Sequence, residues 1–375
     1  MYILEVANHY PNKKYPLHGI FQRDQAIALA NEGCDVIYAA LDLRSIRRIR
    51  PFGFSKQIVD GLTVYTLSLY LGNLPSFIFN PISRFAFKLL YNKIIKENGK
   101  PKLIHAHFLE IAQSCINVVK KEKIPFFITE HSSTVQDNYS SKKLVPIMKK
   151  TYSLANTLIT VSDSLAKSIE NNTGIKSKVI YNIVDNSNFR YSDHKHPEDK
   201  FTFASCGHLN KNKGFFTLIH AFAKHIENYP KDKLIIFGGG EDEQALKDLA
   251  KNLKIGDNVT FALIKPREEI AKAYEESQIF ILLSKLETFG VVYIEAMASG
   301  LPVIATRCGG PENFVNDDVG LVIDCQNVEQ AVNAMDFMRS NYSKYDNKKI
   351  SEYANKMFSP ETIAKQLIET FNSEI

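Results

Sequence analysis

Ser284-Lys285-Leu286-Glu287-Thr288-Phe289-Gly290-Val291-Val292-Tyr293-Ile294-Glu295-Ala296-Met297-Ala298-Ser299-Gly300-Leu301-Pro302-Val303-Ile304-Ala305 is the stretch of this 375-residue chain that says most about its architecture. It reads as the end of a buried strand, a short loop holding Glu287, a helix from about Gly290 to Ala298, a glycine stop and a second buried strand. Between Gly290 and Gly300 the only formal charge is Glu295. A carboxylate on so apolar a helix is costly unless something hydrogen-bonds it, and ribose hydroxyls would do so. The amides of Phe289, Gly290 and Val291 at the helix start suit a diphosphate, with glycine permitting close backbone approach. Spacing alone leaves a second reading open, in which Glu287 is a solvated cap and Glu295 a core carboxylate satisfied by backbone donors.

The strand-helix alternation continues in both directions. Upstream, Tyr2 to Ala7, Asp35 to Ala39, Leu103 to His107, Phe126 to Thr129, Leu158 to Val161 and Lys178 to Asn182 read as strands, with helices such as Gln22 to Asn31 between them. A polar, Pro-containing run from Asp185 to Lys200 interrupts the pattern, which resumes with strands at Phe201 to Cys206, Lys233 to Phe237, Val259 to Ala262, Ile279 to Leu283 and Pro302 to Ala305. The expectation is an α/β chain of two doubly wound, Rossmann-like domains, 1–184 and 201–357, joined by a linker at 185–200. A helix over about 358–375 is expected to pack back on the first domain. Ligand is expected where the strand ends of both domains face a common cleft.

Composition sets the outer limits. The N-terminus enters an apolar strand without a signal-peptide pattern, and no apolar run is long and unbroken enough to span a bilayer, so a cytoplasmic protein is expected. Five scattered cysteines suggest neither a disulfide framework nor a zinc ribbon. The net charge of +5 is uneven: residues 1–185 hold 24 Lys and Arg against 14 Asp and Glu, and residues 186–375 hold 22 against 27. A basic first half suits an anionic surface or substrate, and no nucleic-acid reader motif accompanies the charge.

Glu287, seven residues, Glu295 within Glu287 to Thr306 closely resembles the signature of glycosyltransferase family 4, the large retaining GT-B family, and Gly309-Gly310-Pro311-Glu312 fits the same pattern. The resemblance runs over nearly the whole chain: Cys206 to Gly214 and Phe237 to Gly240 are similar to the family's glycine loops, and Gly19 to Ala26 to its first loop and helix. Ile104 to Phe108 and Thr129 to Ser132 match its histidine segments, and Phe358-Ser359-Pro360 its last helix entry. The resemblance implies a metal-independent, retaining transfer of a hexose-type sugar from a UDP- or GDP-linked donor, needing no further cofactor. The acceptor would be a hydroxyl of a glycan or lipid-linked saccharide, in cell-surface polysaccharide synthesis.

Carried over by position, the resemblance implies that Glu295 holds the ribose, Glu287 a donor-sugar hydroxyl and His107 faces the donor sugar, while Lys213 neutralises the diphosphate. Gly19, Gly238, Gly239, Phe289, Gly290 and Val291 would line the donor. His208 stands where the family usually carries arginine, so that part of the diphosphate clamp is weaker or supplied elsewhere. His105 and His107 lie two apart on a strand and share a face. Without a third ligand at suitable spacing, a metal pair is disfavoured and no metal is expected. His131 is either a second group in the cleft or a satisfied loop histidine.

Arg47, Arg48 and Arg50, and the aromatic, basic stretch Phe77 to Lys100, either dock on an anionic membrane face or bind a lipid-diphosphate acceptor, or else are a solvated loop and an ordinary packed helix. For the retaining transfer that the resemblance implies, and with no obvious nucleophile, the expected chemistry is front-face displacement, the leaving phosphate taking the acceptor's proton. The rivals are an epimerase or phosphorylase on the same fold, and a weakly active partner subunit that keeps the nucleotide pocket.

Overall fold

The computed structural model describes residues 1–12, 14–15, 18–43, 51–72, 74–193 and 201–375, which divide into two units. One comprises Met1–Ile183 with Pro360–Ile375, the other Val184–Ser359.

The first unit runs β1 (Ile3–Ala7), α1 (Ile20–Asn31), β2 (Val36–Asp42), β3 (Gly53–Val59), β4 (Leu62–Ser68), α2 (Ser76–Asn98), β5 (Leu103–His107), α3 (Leu109–Glu122), β6 (Phe126–Glu130), α4 (Ser133–Gln136), α5 (Asn138–Tyr152), β7 (Thr157–Thr160), α6 (Asp163–Thr173) and β8 (Lys178–Val179). Its sheet has the order β3-β4-β2-β1-β5-β6-β7-β8. Strands β1, β2, β5 and β6 are buried along their whole length, which is why they read as apolar runs rather than alternating ones. Strand alternation with helices forecasts parallel pairing, and β3 departs from it by pairing antiparallel with β4. Asp60 and Gly61 make that reversal, both at positive φ (54° and 77°), the conformation a two-residue hairpin turn requires.

The second unit runs β9 (Thr202–Cys206), α7 (Phe215–Asn228), β10 (Lys233–Phe237), α8 (Glu243–Asn252), β11 (Val259–Leu263), α9 (Arg267–Glu275), β12 (Ile279–Ile281), α10 (Val291–Ala298), β13 (Val303–Thr306), β14 (Gly320–Ile323), α11 (Val328–Ser340) and α12 (Asn347–Phe358). Its sheet, β11-β10-β9-β12-β13-β14, is parallel throughout. Helix α10 is buried on nearly every side, as its composition demands.

The last helix, α13 (Pro360–Ser373), returns to the first unit. Ile363, Ala364, Leu367 and Phe371 recur at helical spacing and enter the core formed by Ala26 and Leu29 of α1 with Ala7 and Tyr38 of the sheet. Full burial of each large side chain stabilises by roughly 1.5–3 kcal/mol. These two units are the two Rossmann-like halves of a GT-B fold.

Candidate active site

In the second unit two parallel strands, β9 and β12, lie side by side and the loops that follow them carry the polar groups. Gly214 ends the first loop with φ 69°, and a Cβ there would stand 1.8 Å from the Leu283 carbonyl, so only glycine allows the two loops to touch. The Lys285 amide donates to Asn212 O at 2.7 Å and locks that approach. Lys213 Nζ thereby reaches Glu287 Oε1 at 2.5 Å, and Ser284 Oγ donates to the same oxygen at 2.7 Å. The lysine side chain is 25% exposed and the glutamate side chain 9%. Sequence reading singles out Lys213 and Glu287 separately; the fold puts them in contact.

The Glu287 amide donates to Cys308 O at 3.0 Å, tying its loop to the turn after β13. There Glu312 accepts from the Gly309 and Cys308 amides at 2.9 and 3.1 Å, which accounts for the Gly-Gly-Pro-Glu run. Gly290, at φ 92°, starts α10; a Cβ there would lie 2.6 Å from the Tyr293 ring. Tyr293 donates its hydroxyl to Leu282 O at 2.7 Å and so fastens the helix to the end of β12. Phe289 is buried, its ring in the core against Phe314 and Phe358, and Val291, the first residue of α10, is buried as well.

Glu295, on the second turn of α10, is buried, with Arg267 Nε 3.6 Å from Oε1. Arg267 Nη1 donates to Asp185 Oδ2 at 3.1 Å. The guanidinium thus stands between two carboxylates, a partner that sequence reading does not provide for Glu295. Burial pushes the Cys206 thiol up to about 12, Glu295 adding to the rise and Lys213 opposing it, so this thiol is neutral and no nucleophile. Gly238, at the end of β10, donates its amide to Leu263 O, and Gly239 accepts from the Leu209 amide at 3.0 Å. His208 is exposed and lies 3.0 Å from Glu241, also exposed.

The first unit gathers its histidines. Glu5 and His105 are register partners on β1 and β5. Glu5 Oε1 is 2.9 Å from His105 Nδ1, and Oε2 is 2.9 Å from His107 Nε2. His105 Nε2 continues to Thr129 Oγ1 at 2.7 Å, and His107 Nδ1 to His131 Nε2 at 3.2 Å. Phe371 of α13 lies edge-on to His105, its ring centroid 5.2 Å away. His105 and His107 are completely buried, so the ring placed by resemblance against a donor sugar has both nitrogens engaged within its own unit.

Burial pushes the Glu5 carboxyl up, but the electrostatic pull and hydrogen bond of His105, with the hydrogen bond of His107, outweigh it and hold it down to about 2. Burial also holds His107 and His131 below the ordinary imidazole value. An ionised Glu5 only accepts, so the network assigns the proton of neutral His107 to Nε2 and leaves Nδ1 to accept from His131. Among the described residues Glu5, His105 and His107 are the group whose donor atoms, all within 4.8 Å, are of the kind that hold a metal ion. In the present arrangement the carboxylate serves both imidazoles as their hydrogen-bond acceptor. Glu5 escapes the sequence reading, although a lone carboxylate in the strand Tyr2 to Ala7 is the same signal that marks Glu295.

Gly19 caps α1 at φ 78°, packed against the His9 carbonyl. Arg47, Arg48 and Arg50 lie outside the described residues.

Two family models match the chain in succession, Glycosyltransferase Family 4 over residues 19–188 and Glycosyl transferases group 1 over residues 188–357. Among curated proteins the chain is similar to an uncharacterized glycosyltransferase of Haemophilus influenzae, 38% identical over 38% of the chain and 41% of that protein. It is also similar to the D-inositol 3-phosphate glycosyltransferase of Corynebacterium urealyticum, 34% identical over 44% of the chain and 42% of that protein. The match thus spans about two fifths of the length of these curated relatives. Among solved structures, sucrose-phosphate synthase from Thermosynechococcus elongatus superposes with a TM-score of 0.82 at 20% identity, covering 99% of this chain and 98% of that one. Anabaena HepE in complex with UDP-glucose does so at 0.73 and 18%, covering both chains completely.

Proposed function

The chain belongs to the glycosyltransferases that these two models describe, group 1 and family 4, and from that membership we propose that it transfers a hexose-type sugar from a nucleotide-sugar donor to a hydroxyl acceptor, with retention and without a catalytic metal. The observation that carries this reading is the contact of Lys213 with Glu287 at the mouth of β9 and β12, beside the N-terminus of α10. A diphosphate placed there meets a lysine ammonium and a helix N-terminus, while the Glu287 carboxylate is positioned to accept from a sugar hydroxyl. Lys213 and the α10 amides stabilise the charge that grows on the leaving diphosphate, and the departing phosphate takes the acceptor's proton. Glu295 holds the ribose, with Arg267 keeping its carboxylate oriented.

HepE, with which this chain shares its fold, is known with UDP-glucose bound, which supports a UDP-linked donor. The Glu5–His107–His131 chain belongs to the acceptor side, where Glu5 orients His107. The acceptor in this reading is a glycan or lipid-linked saccharide for cell-surface polysaccharide, handled at the cytoplasmic face of a membrane. No helix among the described residues is long and apolar enough to cross one. Peripheral contact is supported by Phe77, Phe85 and Leu89, spaced along one face of α2 and 75%, 60% and 40% exposed, with Lys88 and Lys96 beside them.

Incubating the purified chain with a panel of UDP- and GDP-sugars and measuring nucleotide release tests the reading. Slow hydrolysis of one or a few donors is expected. Failure of every donor either to shift the melting temperature or to be hydrolysed sinks it.

A further inference from the structure

The first unit contains a cavity of about 470 Å³ at the carboxyl ends of β2, β1, β5 and β6, lined by Leu43 after β2, Asn8 after β1 and Ser132 after β6. Phe79 of α2 and Leu144 and Ile147 of α5 close it. The sheet order reverses at this place, since the chain proceeds from β1 to β2 on one side and from β5 to β6 on the other, and such switch points are where doubly wound sheets take ligands. Its size lies in the range of small-molecule sites, roughly 300–1,000 Å³.

The walls are unlike a bare sugar site. Most of the side chains facing the cavity from α2, α5 and the loop after β2 are leucine, isoleucine and phenylalanine, while polar groups come from the strand ends, with Asn8, His9 and Ser132, and from Gln113 and Ser114 of α3. A hydroxyl-bearing head group is satisfied at the strand ends, and the remaining volume excludes water profitably only when an apolar group fills it. Among the described residues lining it there is no lysine or arginine, and Glu110 contributes a carboxylate.

We propose that this cavity holds the apolar group of the acceptor: the substrate is an amphiphile, a hydroxylated or glycosylated head on an alkyl, isoprenyl or aryl tail, and its tail lies between α2 and α5. This deepens the acceptor side of the proposed transfer and rests on that reading for the word acceptor, but binding of the tail requires no donor and no turnover.

The probe is a series of n-alkyl β-glucosides from methyl to nonyl, titrated calorimetrically below their micelle concentrations into the full chain without nucleotide. Affinity should rise roughly three- to fourfold for each added methylene until the cavity is full, then level off. Ile147→Trp and Leu144→Trp, which fill the volume from α5, should each flatten the series while nucleotide affinity shows that the protein is folded. The matching n-alkyl phosphates, run in parallel, report whether the head of the amphiphile is neutral or anionic, and a chain-length dependence in either series supports the tail site. A flat series with both heads, or a dependence that both tryptophan variants leave intact, overturns it. Loss of donor hydrolysis in the nucleotide-sugar panel would instead refute the transferase reading and leave this titration standing.

Discussion

Glu5 and His107 stand 102 positions apart in sequence, yet Glu5 Oε2 and His107 Nε2 are 2.9 Å apart, both side chains fully buried. The carboxylate is shared with His105, and the chain continues through His107 to His131.

Acid should undo the first unit in two stages. His107 and His131 are held below 6.5 in the fold, so the unfolded chain binds more protons below about pH 6.5 and stability starts to fall there. Glu5, held at about 2 against 4.5 when unfolded, contributes stability that is complete above about 4.5 and is lost as pH falls towards 2. The loss attributable to Glu5 is on the order of 3 kcal/mol. Urea midpoints measured from pH 8 to pH 3 should stay level to about pH 6.5 and decline below it, and Glu5→Gln should be less stable at pH 7 by roughly 3–5 kcal/mol. A midpoint that does not move with pH would contradict the assignment.

Removing the Lys213 ammonium should lower kcat far more than it raises the donor KM, because charge on the diphosphate increases in the transition state. For Lys213→Ala a kcat loss of about 10²–10³ is expected. An effect confined to KM would show that the lysine binds the ground state only. Activity of the wild type should survive EDTA; loss on chelation, restored by a divalent ion, would remove the metal-free mechanism.

Glu295→Ala should weaken free nucleotide and nucleotide sugar by the same factor, about 10-fold to 100-fold for lost hydrogen bonds to a charged group. Isothermal titration with both ligands checks it. Equal affinity in a folded variant would assign Glu295 to Arg267 alone, a structural pair.

Phe77, Phe85 and Leu89 changed together to Ser should cut binding to anionic vesicles by at least about tenfold, since each large apolar side chain contributes roughly 1.5–3 kcal/mol when fully buried. Raising salt should weaken the wild type on the same vesicles. Equal flotation of variant and wild type would make this face of α2 merely solvated.

Most of the strands and helices, the helix at Val291–Ala298 and the glycine-bearing loops are legible along the chain because they follow from local properties: apolar runs of strand length, 3.6-residue spacing and glycine at positive φ. Strands β4 (Leu62–Ser68) and β14 (Gly320–Ile323) are not among those read from the sequence. The antiparallel β3 is less legible, since the Asp60-Gly61 turn is a two-residue signal beside a strand with an exposed middle. The sequence also names Lys213, Glu287 and Glu295 as separate candidates. It does not say that Lys213 meets Glu287 across 74 positions, that Arg267 faces Glu295, or that Glu5 joins His105 to His107. Those partnerships depend on which strand lies beside which and in what register: β1 beside β5 puts Glu5 opposite His105, and β9 beside β12 brings the Gly214 and Leu283 backbones into contact. Strand order is a long-range property set by burying two sheet faces at once, and no local window of residues contains it.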